Sequence, residues 1–113
     1  MGKIKVSDYI FKTITDKTDV DTVFMLPGGG CMHLVDSLGK SEKLDYICCL
    51  HEQAAAIAAE AYAQNRNSLG VTLVTAGPGS TNAVTGVAGA WIDSTPLLVL
   101  SGQAKTTELM QPR

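Results

Sequence analysis

The chain has 113 residues and a formal net charge of −2. That length holds one domain with a real core, and the charge balance leaves no basic face for nucleic acid and no like-charged tail. No apolar run approaches the roughly 20 residues of a membrane span, no apolar signal core follows the N-terminal lysines, and Val6 stands where an N-myristoylation motif needs Ser or Thr.

In chain order, Ser7 is placed to cap a helix over 8–17, with Ile10, Phe11 and Ile14 on one face. A short buried strand follows over 22–26 and ends in Pro27-Gly28-Gly29-Gly30. A helix over 32–38 has Gly39 as its stop. The spacing then predicts a strand over 44–50, a helix over 52–65 and a strand over 71–75 that ends in "AGPGS". A helix over 80–92 is broken by Asp93-Ser94-Thr95-Pro96, and a fourth strand runs over 97–101. No internal repeat or linker separates these units. Strands that are continuous apolar runs, alternating with helices, predict an α/β fold: a parallel sheet with helices on both faces and right-handed crossovers.

In such a sheet a ligand sits beyond the C-terminal ends of the strands. The unusual residues all lie there: the three glycines, His51-Glu52, Ala76-Gly77-Pro78-Gly79, and Gly102-Gln103. The tail "AKTTELMQPR" reads as polar and without a fold of its own, so the chain is expected to be a partial domain of a larger polypeptide.

Three glycines in a row permit close approach and a backbone anion nest. From Gly28 and from Gly77 the pattern is G-x-G without the third glycine of a dinucleotide fingerprint, and no Gly-Lys-Ser/Thr makes a P-loop. A dinucleotide site, or glycines that only make turns, both stay open on this pattern. The helix "EQAAAIAAEAYA" is nearly without bulk, and the next carries Gly86 and Gly89, each costing about 1 kcal/mol against alanine. Both helices should pack closely, within the domain or against a partner subunit. Cys31, Cys48 and Cys49 are odd in number and lack CxxC spacing; they read as buried free thiols of a cytoplasmic protein, with no zinc framework.

Glu52 opens its helix, where a carboxylate gains about 0.3–1 kcal/mol from the helix dipole. Flanked by Leu50, Ala54 and Ala55, it is expected to be buried with a raised pKa, as a carboxyl able to donate a hydrogen bond to a ring nitrogen. His51 suits local hydrogen bonding better than proton transfer, and His33 suits a helix surface.

The stretches "VFMLPGGG", "HEQAAAIAAEAYA" and "TLVTAGPGSTNAVTGVAGAWIDSTPLLVLSGQ" resemble the N-terminal, pyrimidine-binding domain of thiamine-diphosphate enzymes, most of all the acetolactate synthase group. The resemblance covers 23–103 and implies one such domain over 1–113, with flavodoxin-like layering. It implies that Glu52 is catalytic: it contacts the aminopyrimidine ring and promotes the tautomer that activates the thiazolium, on which a 2-oxoacid is decarboxylated. It implies Pro27, Gly28, Thr75, Pro78 and Asn82 around the cofactor, and Gly29 and Gln103 on the substrate side. Thr75 and Gly29 replace the histidine and serine of other decarboxylases in the superfamily and argue against a benzoylformate-type enzyme. The resemblance implies Mg²⁺ and diphosphate held by a domain not in this chain, a second subunit (homodimer or homotetramer) completing the site, and a chain inactive by itself. It leaves FAD and the acceptor substrate open. A non-catalytic dimerising module of the same fold is the alternative.

Overall fold

The computed structural model describes residues 2–109. In chain order the elements are α1 (Val6–Lys17), β1 (Thr22–Met25), a 3₁₀ turn (Gly29–Cys31), α2 (Met32–Gly39), β2 (Asp45–Cys48), α3 (Glu52–Arg66), β3 (Gly70–Val74), α4 (Pro78–Asn82), α5 (Val84–Ile92) and β4 (Leu97–Ser101). The four strands are all parallel, in the order β2-β1-β3-β4. The alternation of apolar strand and helix is therefore an α/β fold, and its sheet order reverses direction between β1 and β3.

Side-chain alternation along the strands divides the interior into two layers. Val23, Met25, Val71 and Leu73 point to one side and pack with Phe11 and Ile14 of α1 and Leu38 of α2. Val74 points to the other and packs with Ala56 of α3, Ala83 and Val99. There Phe24 meets Tyr62 of α3 edge-on, with ring centroids 5.8 Å apart. All five residues of β3 are buried, which suits a central strand, whereas all four of β2 are exposed.

Several expectations are corrected. Ser7 does not cap α1: the helix begins one residue earlier, Lys5 is the flanking residue, and buried Ser7 sits 2.8 Å from Ser37 Oγ across the α1–α2 contact. Gly39 is the last residue of α2, as expected of a stop, but it does not end the helix in a left-handed conformation, because the chain continues through right-handed Lys40. The helix end that does use such a cap is that of α3, where Asn67 has φ 51° and its N–H reaches the carbonyls of Ala63 and Gln64. The expected strand over 44–50 contracts to Asp45–Cys48. The expected helix over 80–92 starts at Pro78, whose ring suits a first helical position. It is interrupted at Ala83, whose N–H bonds Ser80, three residues back. Of the three cysteines only Cys31 is buried, since Cys48 lies on the exposed edge strand and Cys49 just after it. No helix among the described residues is long and apolar enough to cross a membrane.

Small residues set how closely the layers approach. A Cβ on Gly70 would stand 2.1 Å from the Ala59 carbonyl oxygen, so α3 lies directly on the start of β3. A Cβ on Gly86 would stand 2.5 Å from Ala56 Cβ, so α5 lies directly on α3. The close packing expected of the two small-residue helices is thus made within the domain.

At the opposite end of the sheet from the glycine turns, Asp21 ties β1 to α3. It accepts from Tyr62 Oη at 2.8 Å and Arg66 at 2.6 Å, and from Thr22 at 2.8 Å. The Thr22 hydroxyl first, then Tyr62 and Arg66, hold its carboxyl below the ordinary range.

Two outcomes are expected. Gly70→Ala should lower stability in urea melts by about 1–3 kcal/mol or more, because rigid backbone blocks the methyl. Gly89→Ala should be neutral or stabilising by up to about 1 kcal/mol, since its methyl meets only the movable carboxylate of Glu60 at 3.2 Å. Equal losses would contradict the packing described. Asp21, with its depressed pKa, contributes stability that is complete above the ordinary carboxylate range and is lost as pH falls through the lowered value. Its pairs are largely exposed, so the Asp21→Asn difference should be about 1 kcal/mol or less at pH 7. In thermal melts it should vanish at the acid end.

Candidate functional site

Each strand ends in a turn, and all four turns lie at the C-terminal edge of the parallel sheet. In the order β2-β1-β3-β4 the ends of β1 and β3 are neighbours while their following helices leave on opposite faces, which is the switch point where such folds hold ligands.

Hydrogen bonds join the turns. Gly30 N–H donates to Thr75 Oγ1 at 3.0 Å, and Gln103 N–H donates to the Gly30 carbonyl at 3.2 Å. Gly102 N–H donates to the Val74 carbonyl at 2.9 Å, and Ser80 meets Ser101 hydroxyl to hydroxyl. A Cβ on Gly28 would stand 2.6 Å from Thr75 Cβ, so the first turn lies flat against the third. Gly77 takes φ 62° and turns the chain into α4.

Glu52 enters this cluster from the end of β2, as the first residue of α3. It is buried, 8% exposed, and Asn82 Nδ2 donates to its Oε2 at 3.0 Å. Its other oxygen, Oε1, lies 3.4 Å from where a Cβ on Gly79 would stand. The carboxyl is held below its ordinary range, chiefly by the Asn82 amide and then by its own backbone N–H, with burial opposing and His51 adding a smaller pull. The expectation of a raised pKa is therefore corrected. Burial acts in the direction foreseen, but hydrogen bonds to the ionised form outweigh it.

The sequence-derived residues fall into distinct places. Thr75, half-buried, uses its hydroxyl oxygen to hold Gly30 and so supports the glycine turn. Asn82, on an exposed turn of α4, reaches Glu52. Pro78, exposed, starts α4, and buried Gly79 beside it faces Glu52. Pro27, Gly28 and Gly29 line a cleft of about 440 Å³ with Met32, Val35 and Asp36. Gln103 is exposed; its backbone N–H holds Gly30, and its Oε1 accepts from Ala104 N–H at 2.8 Å. His51 caps α3, its Nδ1 accepting from Gln53 N–H at 3.1 Å. His33 lines a separate cleft with Lys5 and with Ser7 and Ile10 of α1. Gly30, Gly79 and Gly102 were not singled out in the sequence as contact points. Their signal is glycine in the turn after a strand, which shows a turn but not what presses against it.

The dinucleotide alternative is not favoured by the glycine turn. Gly30 N–H is committed to Thr75 and Cys31 N–H to the Gly28 carbonyl at 3.1 Å, so two donors of a phosphate nest are taken. Among the described residues no group of three His, Cys, Asp or Glu could hold a metal ion.

The arrangement can do a limited set of things. It offers a carboxylate with one oxygen anchored by Asn82 and the other beside Gly79, next to turns that Gly28 and Gly79 let close onto the Thr75 side chain. A Cβ at Gly79 would stand 2.7 Å from the Thr75 methyl and 3.4 Å from Glu52 Oε1, so only glycine lets this turn pack there. A heteroaromatic ring that bonds a carboxyl edge-on is a ligand such a carboxylate can meet.

Comparison with known proteins gives the family. The family described as thiamine pyrophosphate enzyme, N-terminal TPP binding domain, matches residues 4–112. The chain is 42% identical over 109 residues to the acetolactate synthase large subunit of Lactococcus lactis subsp. lactis, covering 91% of this chain and 19% of that protein. It is 40% identical over 107 residues to the acetolactate synthase isozyme 3 large subunit of Escherichia coli, covering 95% and 18%. It is 41% identical over 100 residues to the mitochondrial acetolactate synthase catalytic subunit of Saccharomyces cerevisiae, covering 88% and 15%. The chain thus spans less than a fifth of the length of these relatives. With a parallel sheet whose switch point presents Glu52, and a family match over nearly its whole length, the chain belongs to the N-terminal thiamine-pyrophosphate-binding domains of the thiamine pyrophosphate enzymes.

Proposed function

We propose that this chain forms the pyrimidine-holding half of an acetolactate synthase-type centre, acting on small 2-oxoacids such as pyruvate. The observation that carries the reading is the placement of Glu52, buried at the switch point with one oxygen anchored by Asn82 and the other over Gly79. The acetolactate synthases similar to it over most of its length support the substrate class.

Thiamine diphosphate (thiamine pyrophosphate), when bound, supplies the carbon nucleophile and the electron sink for decarboxylation and carboligation. Oε1 of Glu52 would meet a ring nitrogen and hold or release a proton there. Gly28 and Gly79 let their turns close on Thr75 beside the carboxylate, Thr75 keeps the glycine turn in place, and Pro27 and Pro78 stiffen the turns. Gly29 and Gln103 stand on the outer side, where a substrate would approach. Mg²⁺ and the diphosphate are assigned to residues outside this chain, which alone would be inactive. FAD is compatible with the reading but has no residue assigned to it here.

A second subunit would complete the centre, giving a homodimer or homotetramer. Val84, Trp91 and Ile92 of α5 and Ile57 of α3 are large apolar side chains left exposed, with Trp91 at 84%. Exposed apolar surface of this kind suits a protein partner.

Glu52→Gln in the complete enzyme that holds Mg²⁺ and the diphosphate, assayed with pyruvate and thiamine diphosphate, should lower acetolactate formation by about 10²–10⁴-fold, the weight of one positioned proton-transfer group. Cofactor binding, followed by fluorescence titration of Trp91, should fall much less. Turnover close to that of the unaltered protein would remove Glu52 from the chemistry.

A further inference from the structure

The helix interruption at Ala83 leaves Asn82 as the last residue of α4, with its side chain directed back toward α3 across thirty positions of sequence. Its amide meets Glu52 Oε2 at 3.0 Å. An ionised carboxylate only accepts hydrogen bonds, so the amide presents its nitrogen. Asn82 is on an exposed turn, and its one side-chain partner among the described residues is Glu52.

We propose that Asn82 is a positioning residue: it fixes the rotation of the Glu52 carboxylate and leaves Oε1 as the oxygen free to meet the pyrimidine ring. This deepens the functional reading above and rests on it for the identity of the ring. Two observations carry it. Oε2 accepts from the amide, and Oε1, 3.4 Å from where a Cβ on Gly79 would stand, has no side-chain donor among the described residues. With Oε2 engaged by the amide, Oε1 is the oxygen better placed to share a proton with the ring. An amide that donates to the ionised form also weakens the hold on that proton, so Asn82 favours its residence on the ring.

The other groups around Glu52 are few. His51 precedes it on the same element and is engaged as the α3 cap. The residues of α4 are Pro78, Gly79, Ser80, Thr81 and Asn82, none of them titratable, and the β3 turn adds Thr75. Glu60, two turns along α3, faces Gly89 of α5. Asn82 is thus the main partner that sets the protonation of Glu52.

The test is an infrared pH titration of the Glu52 carboxylate in the purified protein, with the band assigned by its loss in Glu52→Gln. Asn82→Ala should move the titration to higher pH. Asn82→Asp, which places a second carboxylate there, should move it further, and Asn82→Gln, which keeps an amide donor, should fall between Ala and the unaltered protein. In the complete enzyme with thiamine diphosphate and Mg²⁺, kcat in Asn82→Ala should drop about tenfold or more, the weight of a hydrogen bond to a charged group. The acid limb of its pH profile should follow the infrared shift, and cofactor affinity should change less.

An unchanged Glu52 titration in both the Ala and the Asp variants overturns the inference. So does a loss of activity in Asn82→Ala with an unaltered pH profile, which would mark a merely structural role. If the titration shifts as expected while cofactor binding and turnover ignore both Glu52→Gln and the Asn82 series, the Asn82–Glu52 coupling stands and the functional reading falls. Because Asn82 is exposed, its variants should fold; circular dichroism checks each one, and the Gln variant keeps the comparison available.

Discussion

The approach of α3 to the sheet is the constraint on which the rest depends. Gly70 lets the helix backbone at Ala59 come within a distance that no side chain could tolerate, and Ala55, Ala56, Ala59 and Ala63 bury the face that lies there. A larger residue at any of these positions would lift the helix. Glu52 is the first residue of that helix, so its distance from α4 and the β3 turn is set by methyl groups along the helix. Gly86 then brings α5 onto the same alanines from outside, which holds α3 between two backbones. Alanine costs little side-chain entropy on folding. The arrangement therefore trades apolar burial for precision of placement.

That arrangement also explains why the site is built from turns and not from a closed cavity. A four-stranded parallel sheet with two helical layers gives one edge at which every strand runs out toward the same side. The turns there are tied by backbone groups: Gly30 to Thr75, Gln103 to Gly30, Gly102 to Val74. Few side chains intervene. What remains for chemistry is a single carboxylate among turns that glycines let close on one another. A ligand that brings its own reactivity suits such a site better than one that needs a nucleophile or a metal from the protein.

Much of this was legible in the residues. Apolar runs of strand length between helical patterns gave the α/β class, and glycine or His-Glu after each strand placed the ligand edge. β4 was read over the residues it occupies, because Pro96 precedes it and Gly102 follows it. β2 was read too long. Its run from Leu44 to Leu50 is apolar but for Asp45, yet it is an edge strand, and pattern alone does not tell a buried strand from an exposed one. The cap assigned to Ser7 failed because residue type shows capping capacity, whereas the contact with Ser37 depends on where α2 lies. The tie between Asn82 and Glu52 was hidden for the same reason. It joins residues thirty apart and exists only because the helix after Pro78 is interrupted before Val84.

The charge on Glu52 shows how a sequence argument can name each force and still misjudge the balance. Leu50, Ala54 and Ala55 suggested an apolar surround, and burial does raise the proton affinity of the carboxyl. Yet Leu50 is 100% exposed and Ala54 is also exposed, so only the Ala55 side is closed. Against a partial surround, one amide and one backbone N–H suffice to keep the group ionised. Any surface that covered Leu50 and excluded water would act against Asn82 and bring the two protonation states closer together. A carboxyl that must both hold and release a proton works best when those states are nearly balanced. Asn82 supplies the pull toward release from within the fold. The opposing pull has to come from whatever closes over the exposed side.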